Sequence, residues 1–193
     1  MELLTGFGLA TAAGLNAYIP LLALGLLSRF TDLVSLPAGW AWLENGWVML
    51  IVGVLLAVEI VADKIPALDS VNDMIQTFVR PTAGGIVFGS GTAAQTAAVT
   101  DPGAFASSGQ WIGVVTALIV SLTKSAVRPV ANIGSAGMAA PVLSTAEDVT
   151  SVGLVFVSLL LPLLVLVALA VVAVAVFQVW RWRRRRKATP GTG

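Results

Sequence analysis

Apolar runs of membrane length, separated by short polar or turn-rich stretches, set the pattern of this chain. The first covers Leu3 to Phe30 and is interrupted by GLNAYIP, Gly14 to Pro20. Pro20 removes a backbone donor and disfavours helix at Ile19, which predicts a Pro-kinked span. The sharper alternative is a broken helix whose freed backbone groups face a cavity. Residues 31–46 read as a loop or interfacial segment, and Trp40, Trp42 and Trp47 fit an aromatic belt. A second apolar segment runs from about Leu43 to Ala62. The third, Thr82 to Val99, consists of small residues and holds Gly85 and Gly89 at helical spacing, which predicts a closely packed central helix. A turn-rich loop at 100–109 leads to the fourth, Gln110 to Val127.

Ser144 or Thr145 ahead of Glu147 and Asp148 reads as a helix N-terminus. The apolar stretch that follows, to about Trp182, is too long for a hydrocarbon core at about 1.5 Å per residue. It must tilt, kink at Pro162 or project. The pattern therefore predicts an all-α membrane protein, a polytopic helical bundle of about five hydrophobic segments with re-entrant or interfacial helices. Residues 1–182 form a single integral membrane domain and 183–193 a basic cytoplasmic tail. The first span has no basic leader region and is expected to remain uncleaved.

Composition sharpens this picture. Of the 193 residues 57% are hydrophobic and 11% charged, with a mean hydropathy of +0.92. Soluble domains carry about 25% charged residues, so the chain lacks the means to cover a water-facing surface. It has no Cys and no His, which excludes disulfides, thiolate and imidazole ligands and His-based triads. The net charge of +1 conceals an uneven spread, since six of the eleven basic residues fall in Arg181 to Lys187. Directly after a span, such a run predicts a cytoplasmic stop and an anchor to anionic lipid rather than a nucleic-acid site.

Against this background one stretch is unusually charged. Glu59 to Gly85 carries Glu59, Asp63, Lys64, Asp69, Asp73 and Arg80, whereas Leu3 to Val58 carries only Arg29, Asp32 and Glu44. Asp69, Asp73, Gln76 and Arg80 fall on one helical face, while Leu68, Val71, Ile75 and Phe78 occupy another. The segment is amphipathic and is expected to lie in the interface or re-enter the bundle, ending at Arg80-Pro81. Glu59 and Asp63, four apart, share a face. Asp69 and Asp73 have the D-x-x-x-D spacing by which membrane prenyl- and phospho-transferases hold Mg²⁺-phosphates, but those enzymes need a second acidic motif, and Glu147-Asp148 is a poor one.

Val79-Arg80-Pro81-Thr82-Ala83 is echoed by Val127-Arg128-Pro129-Val130-Ala131, each beside a Gly-rich stretch. Gly/Pro-interrupted segments in corresponding halves point to a transporter site. A weak internal repeat over 43–99 and 108–182 is the matching expectation, with chance recurrence as its alternative.

GLNAYIPLL, DKIPALDSVND, VRPTAGG and STAEDVTS together resemble an uncharacterised family of small bacterial integral membrane proteins, known as a domain of unknown function. DKIP-x-x-D is the most specific element. The resemblance implies that Asp63, Lys64, Pro66, Asp69 and Arg80 act as a unit. It implies no activity and no cofactor.

The functional expectation is a small transporter, flippase or channel-like protein of the bacterial inner membrane with a cytoplasmic C-terminus. With five spans the N-terminus and the charged stretch would lie outside. Arg80, Lys124, Arg128 and Asn132 are the substrate-binding candidates, for an anionic or phosphate-bearing substrate. Glu59, Asp63, Lys64, Asp69 and Asp73 are the candidates for ion or proton coupling. No metal, cofactor or catalytic residue is assigned. Expected partners are membrane lipids and a second copy of the chain, without nucleic acid. The alternatives are an intramembrane enzyme acting on a phosphorylated lipid, and a scaffold whose charges only hold helices together.

Overall fold

A computed structural model of the chain describes residues 1–96, 109–134 and 139–187. It is all-α, as the pattern predicts. Its helices are α1 (Glu2–Leu15), α2 (Tyr18–Phe30), α3 (Gly46–Ala62), α4 (Pro66–Ala93), α5 (Gln110–Gly134), α6 (Ala139–Leu160) and α7 (Val165–Lys187). Short 3-10 turns occupy Ala38–Glu44 and Pro162–Leu164. Two-residue strands β1 (Val34–Ser35) and β2 (Gln95–Thr96) pair antiparallel, with Val34 opposite Thr96. Residues 100–108 of the expected 100–109 loop and the chain beyond Lys187 lie outside the described residues.

Helix α1 is the centre, packed on α4, α5 and α6. Small residues permit this. A Cβ on Gly6 would meet Thr92 and Phe88, one on Gly14 would meet Val120, and one on Gly8 would overlap Ser158. The closest backbone-to-backbone approach at these glycines joins α4 to α5. A Cβ on Gly113 would stand 2.3 Å from the carbonyl oxygen of Gly84, so the two backbones touch where no side chain fits. The part of the stretch read as a packed central helix that runs from Thr82 to Ala93 is thus the buried C-terminal half of α4; Gln95–Thr96 form β2, and 97–99 lie outside the described residues.

These contacts also fix directions. Thr5 and Gly6 lie beside Gly91 and Thr92, at the end of α4 that carries the β-pair. The far end of α2 returns there: Gly25 abuts Leu43, and Ser28 donates to Glu44 at 2.7 Å. Helices α1 and α2 therefore run out from one end and back to it, turning at Asn16 and Ala17. At about 21 and 20 Å, each is shorter than a hydrocarbon core of about 30 Å. The Pro-kinked span is corrected to a broken helix. Pro20 sits in the first turn of α2, where its missing N–H leaves no bond unmade.

The long C-terminal stretch also divides. Helix α6 runs antiparallel to α1, with Asp148 against Asn16 and Ser158 against Gly8. The chain turns through Leu161 and Pro162, and α7 returns parallel to α1, from Val165 beside Gly8 to Val172 near Leu15.

Two further expectations are corrected. Helix α4 does not end at Arg80-Pro81 but carries Pro81 inside it, and α5 likewise carries Pro129. Ser144 and Thr145 are not caps. They lie within α6, where Thr145 bonds back to the Pro141 carbonyl at 2.8 Å.

By length and composition, among the described residues, two helices can cross a membrane, Gln110–Pro129 and Ala140–Leu160. A third span results if the bent pair Ala38–Glu44 and Gly46–Ala62 counts as one. Many large apolar side chains are exposed along the described helices. On α4, Leu68, Val71, Ile75 and Phe78 face outward, Phe78 being 76% exposed, while Gln76 and Arg80 are buried. A water-soluble amphipathic helix is arranged the other way round.

Candidate functional site

The charged residues converge where α1 breaks. Asn16 builds the break: its Oδ1 accepts the backbone N–H groups of Tyr18 (3.1 Å) and Ile19 (3.2 Å), capping α2. Its Nδ2 donates to Asp148 of α6 at 2.9 Å. The carbonyls at the end of α1 are taken up by neighbouring side chains. Lys124 donates to Leu15 at 2.8 Å, and Ser151 to Ala12 at 3.1 Å. A cation at a helix C-terminus also meets the negative end of its dipole.

Around this break stand two linked ion clusters. In the first, Arg80 of α4 holds Glu59 of α3 at 3.3 Å and Asp73 at 3.2 Å, with Ser121 at 3.5 Å. Arg80 is fully buried, and Glu59 is 1% exposed. In the second, Asp63 at the C-terminus of α3 receives Lys124 (3.4 Å) and Arg128 (3.0 Å) of α5. Asn72 donates to its other oxygen at 2.6 Å. Glu147 of α6 closes the cluster, pairing with Lys124 at 3.0 Å and with Arg128 through a short contact. Among the described residues, three cations from α4 and α5 thus meet four carboxylates from α3, α4 and α6. Each ion costs several kcal/mol to take out of water, so the network survives only by its mutual pairing.

One part of the network has hydrogen-bonding capacity to spare. Among the described residues, Glu59 Oε2, Arg80 Nε and Gln76 Oε1 are buried without a hydrogen-bond partner. Gln76 lies one turn before Arg80 and is reached by Tyr18 from the start of α2. Buried polar atoms are normally satisfied, and three on neighbouring residues mark a polar node.

The structure brings together Glu59, Asp63, Asp73, Arg80, Lys124 and Arg128 from the sequence candidates. Lys64 departs: it lies half-buried in the turn after α3, donates to the Ile60 carbonyl of that helix at 3.1 Å, and joins none of these pairs among the described residues. Asp69 lies in α4 and Asn132 in α5, but their side chains lie outside the described ones. Of the D-x-x-x-D pair, Asp73 turns its carboxylate to Arg80. Among the described residues, no group of three or more carboxylates converges as a metal site. Sequence reasoning missed Glu147 as a member, taking it for a helix-dipole partner. The signal was there, since Lys124 and Arg128 sit on an apolar helix with no acid of their own.

The chain belongs to the family described as a domain of unknown function (DUF4126), whose profile matches residues 3–182. No curated protein and no solved structure matches it.

Proposed function

We propose that the chain is a multi-pass transporter or flippase of the bacterial cell membrane, handling an anionic, phosphate-bearing substrate at the charged break between α1 and α2. Five crossings, α3 to α7, would then surround a re-entrant pair, α1 and α2. One observation carries the reading. Buried charges from four helices meet at the break with unused hydrogen-bonding atoms on Glu59, Gln76 and Arg80, and ionisable residues kept inside a membrane are costly without a task. Arg80 and Arg128 supply planar forks suited to phosphate. Glu59 is the coupling residue, because among the described residues only one of its oxygens is engaged. Membrane lipids are its partners, and a second copy of the chain fits the exposed apolar faces of α3 and α4.

A second reading has its own observation. Arg80, Lys124 and Arg128 each pair with two carboxylates, as in a scaffold whose ions only lock helices. Liposomes separate the two. Purified protein should move a fluorescent anionic lipid between leaflets, or an organic phosphate into the lumen, and Glu59→Gln should abolish this while remaining folded. Wild-type protein that moves neither probe, or a Glu59→Gln variant with undiminished activity per folded molecule, overturns the transporter reading.

A further inference from the structure

The two linked ion clusters hold more carboxylates than cations. Among the described residues, Glu59, Asp63, Asp73 and Glu147 face Arg80, Lys124 and Arg128. With every group ionised, four acids against three bases leave one negative charge in excess. The break adds to that excess, because α1 ends there with the negative pole of its dipole. Where carboxylates outnumber cations away from water, a bound proton removes the imbalance.

The geometry singles out the acid that would carry it. Asp63 accepts from Lys124, Arg128 and Asn72, and Glu147 pairs with Lys124 and Arg128. Asp73 has Arg80 at 3.2 Å and is 15% exposed, so water reaches it. Glu59 shares that same Arg80, is buried, and has an Oε2 without a donor among the described residues. Gln76, one turn before Arg80, likewise has an Oε1 without a donor. Tyr18 ties the two residues together: it hydrogen-bonds Gln76 and stands within electrostatic reach of Glu59 and Arg80. Two acceptors facing one dry node leave each other unsatisfied. A proton on one of them makes it a donor and serves both. The remaining unpartnered atom, Arg80 Nε, is itself a donor and gains nothing from the proton.

We propose that Glu59 is held as the neutral carboxylic acid, its Oε2–H donating to Gln76 Oε1, so that the ion this node binds is a proton. As the identity of the coupling ion this rests on the transporter reading; as proton binding it stands on the geometry. The groups that face Glu59 are Arg80 and Asp73 of α4, Lys124 of α5, Tyr18 of α2 and Asp63 one turn along. A hard metal cation gathers about six oxygens. This node offers two acceptors, with the Arg80 guanidinium 3.3 Å from Glu59.

Infrared spectroscopy of the whole protein in an ester-free detergent tests this through the C=O stretch of a buried carboxylic acid. At pH 7 the wild type should show such a band, shifted down in D₂O, and Glu59→Gln should lose it. Gln76→Leu should move the band to higher frequency, because the acid loses its acceptor. Asp73→Asn removes the excess charge and leaves Arg80 to Glu59 alone, so the band should disappear although Glu59 is intact. No acid band in the wild type, or a band retained in Glu59→Gln, overturns the proposal. A band indifferent to both Gln76→Leu and Asp73→Asn overturns it too. The band in a protein that moves no probe in liposomes would refute the transporter reading alone. Transport that needs Glu59 in a wild type without the band would refute this inference alone.

Discussion

The Lys124 ammonium donates to the carbonyl oxygen of Leu15, 2.8 Å away, and so ties the cation of α5 to the open end of α1. The same nitrogen pairs with Asp63 and Glu147. Lys124→Met should leave two carboxylates short of a partner and a helix-end carbonyl unbonded, a loss of about 3–5 kcal/mol. Thermal and denaturant unfolding in detergent measure it. A loss under about 1 kcal/mol would mean that the ammonium does not hold the break.

Asp63 and Glu59 should respond unequally to neutralisation. Among the described residues, Asp63 accepts from Lys124, Arg128 and Asn72, whereas Glu59 is engaged by Arg80 through one oxygen only. Asp63→Asn should therefore cost about 3–5 kcal/mol, and Glu59→Gln clearly less. The reverse order of melting temperatures would contradict the geometry.

Arg80 reaches two carboxylates through two different nitrogens. A lysine has one, so Arg80→Lys should lose about 1–3 kcal/mol even with its charge kept. A double-mutant cycle between Arg128 and Glu147 should give a coupling of about 0.5–3 kcal/mol, and one between Arg80 and Glu147, which share no bond, much less.

Glycine positions offer a test of packing without charge. Gly113→Ala places a Cβ 2.3 Å from both the Gly84 carbonyl and the Phe88 Cβ, so α4 and α5 must part, at about 1–3 kcal/mol. Gly53→Ala, with no atom within 4 Å, should cost nothing. Equal effects on melting temperature would show that the close approach is wrong.

Direction is testable because the chain has no cysteine. The basic end of α7 lies toward the charged end of the bundle, past Val172 and away from Met1. If positive charge sets orientation, single cysteines at Ile65 and Arg181 should be labelled from the same face as each other, and one at Met1 from the opposite face. The charged stretch would then be cytoplasmic, not outer as the five-segment count implied. The difference arises because the first apolar run turns back instead of crossing.

Helix existence and the polar face of α4 were legible in the sequence alone, because both rest on local periodicity. Leu68, Val71, Ile75 and Phe78 repeat at helical spacing opposite Asp73, Gln76 and Arg80, whatever the rest of the chain does. So was the grouping of Glu59 and Asp63 with the arginines, because charge so dense between apolar runs has few places to go. Local pattern does not carry direction or partnership. Pro20 and Pro81 look alike in sequence, yet one follows a chain reversal and the other rides inside a helix. What decides between them is whether neighbours satisfy the freed backbone groups: Asn16 and Lys124 do so at the α1 break. Glu147 joined the site for a similar reason. Its partners are 19 and 23 positions away by the numbering, on another helix, and only the antiparallel packing of α1 against α6 brings them within reach.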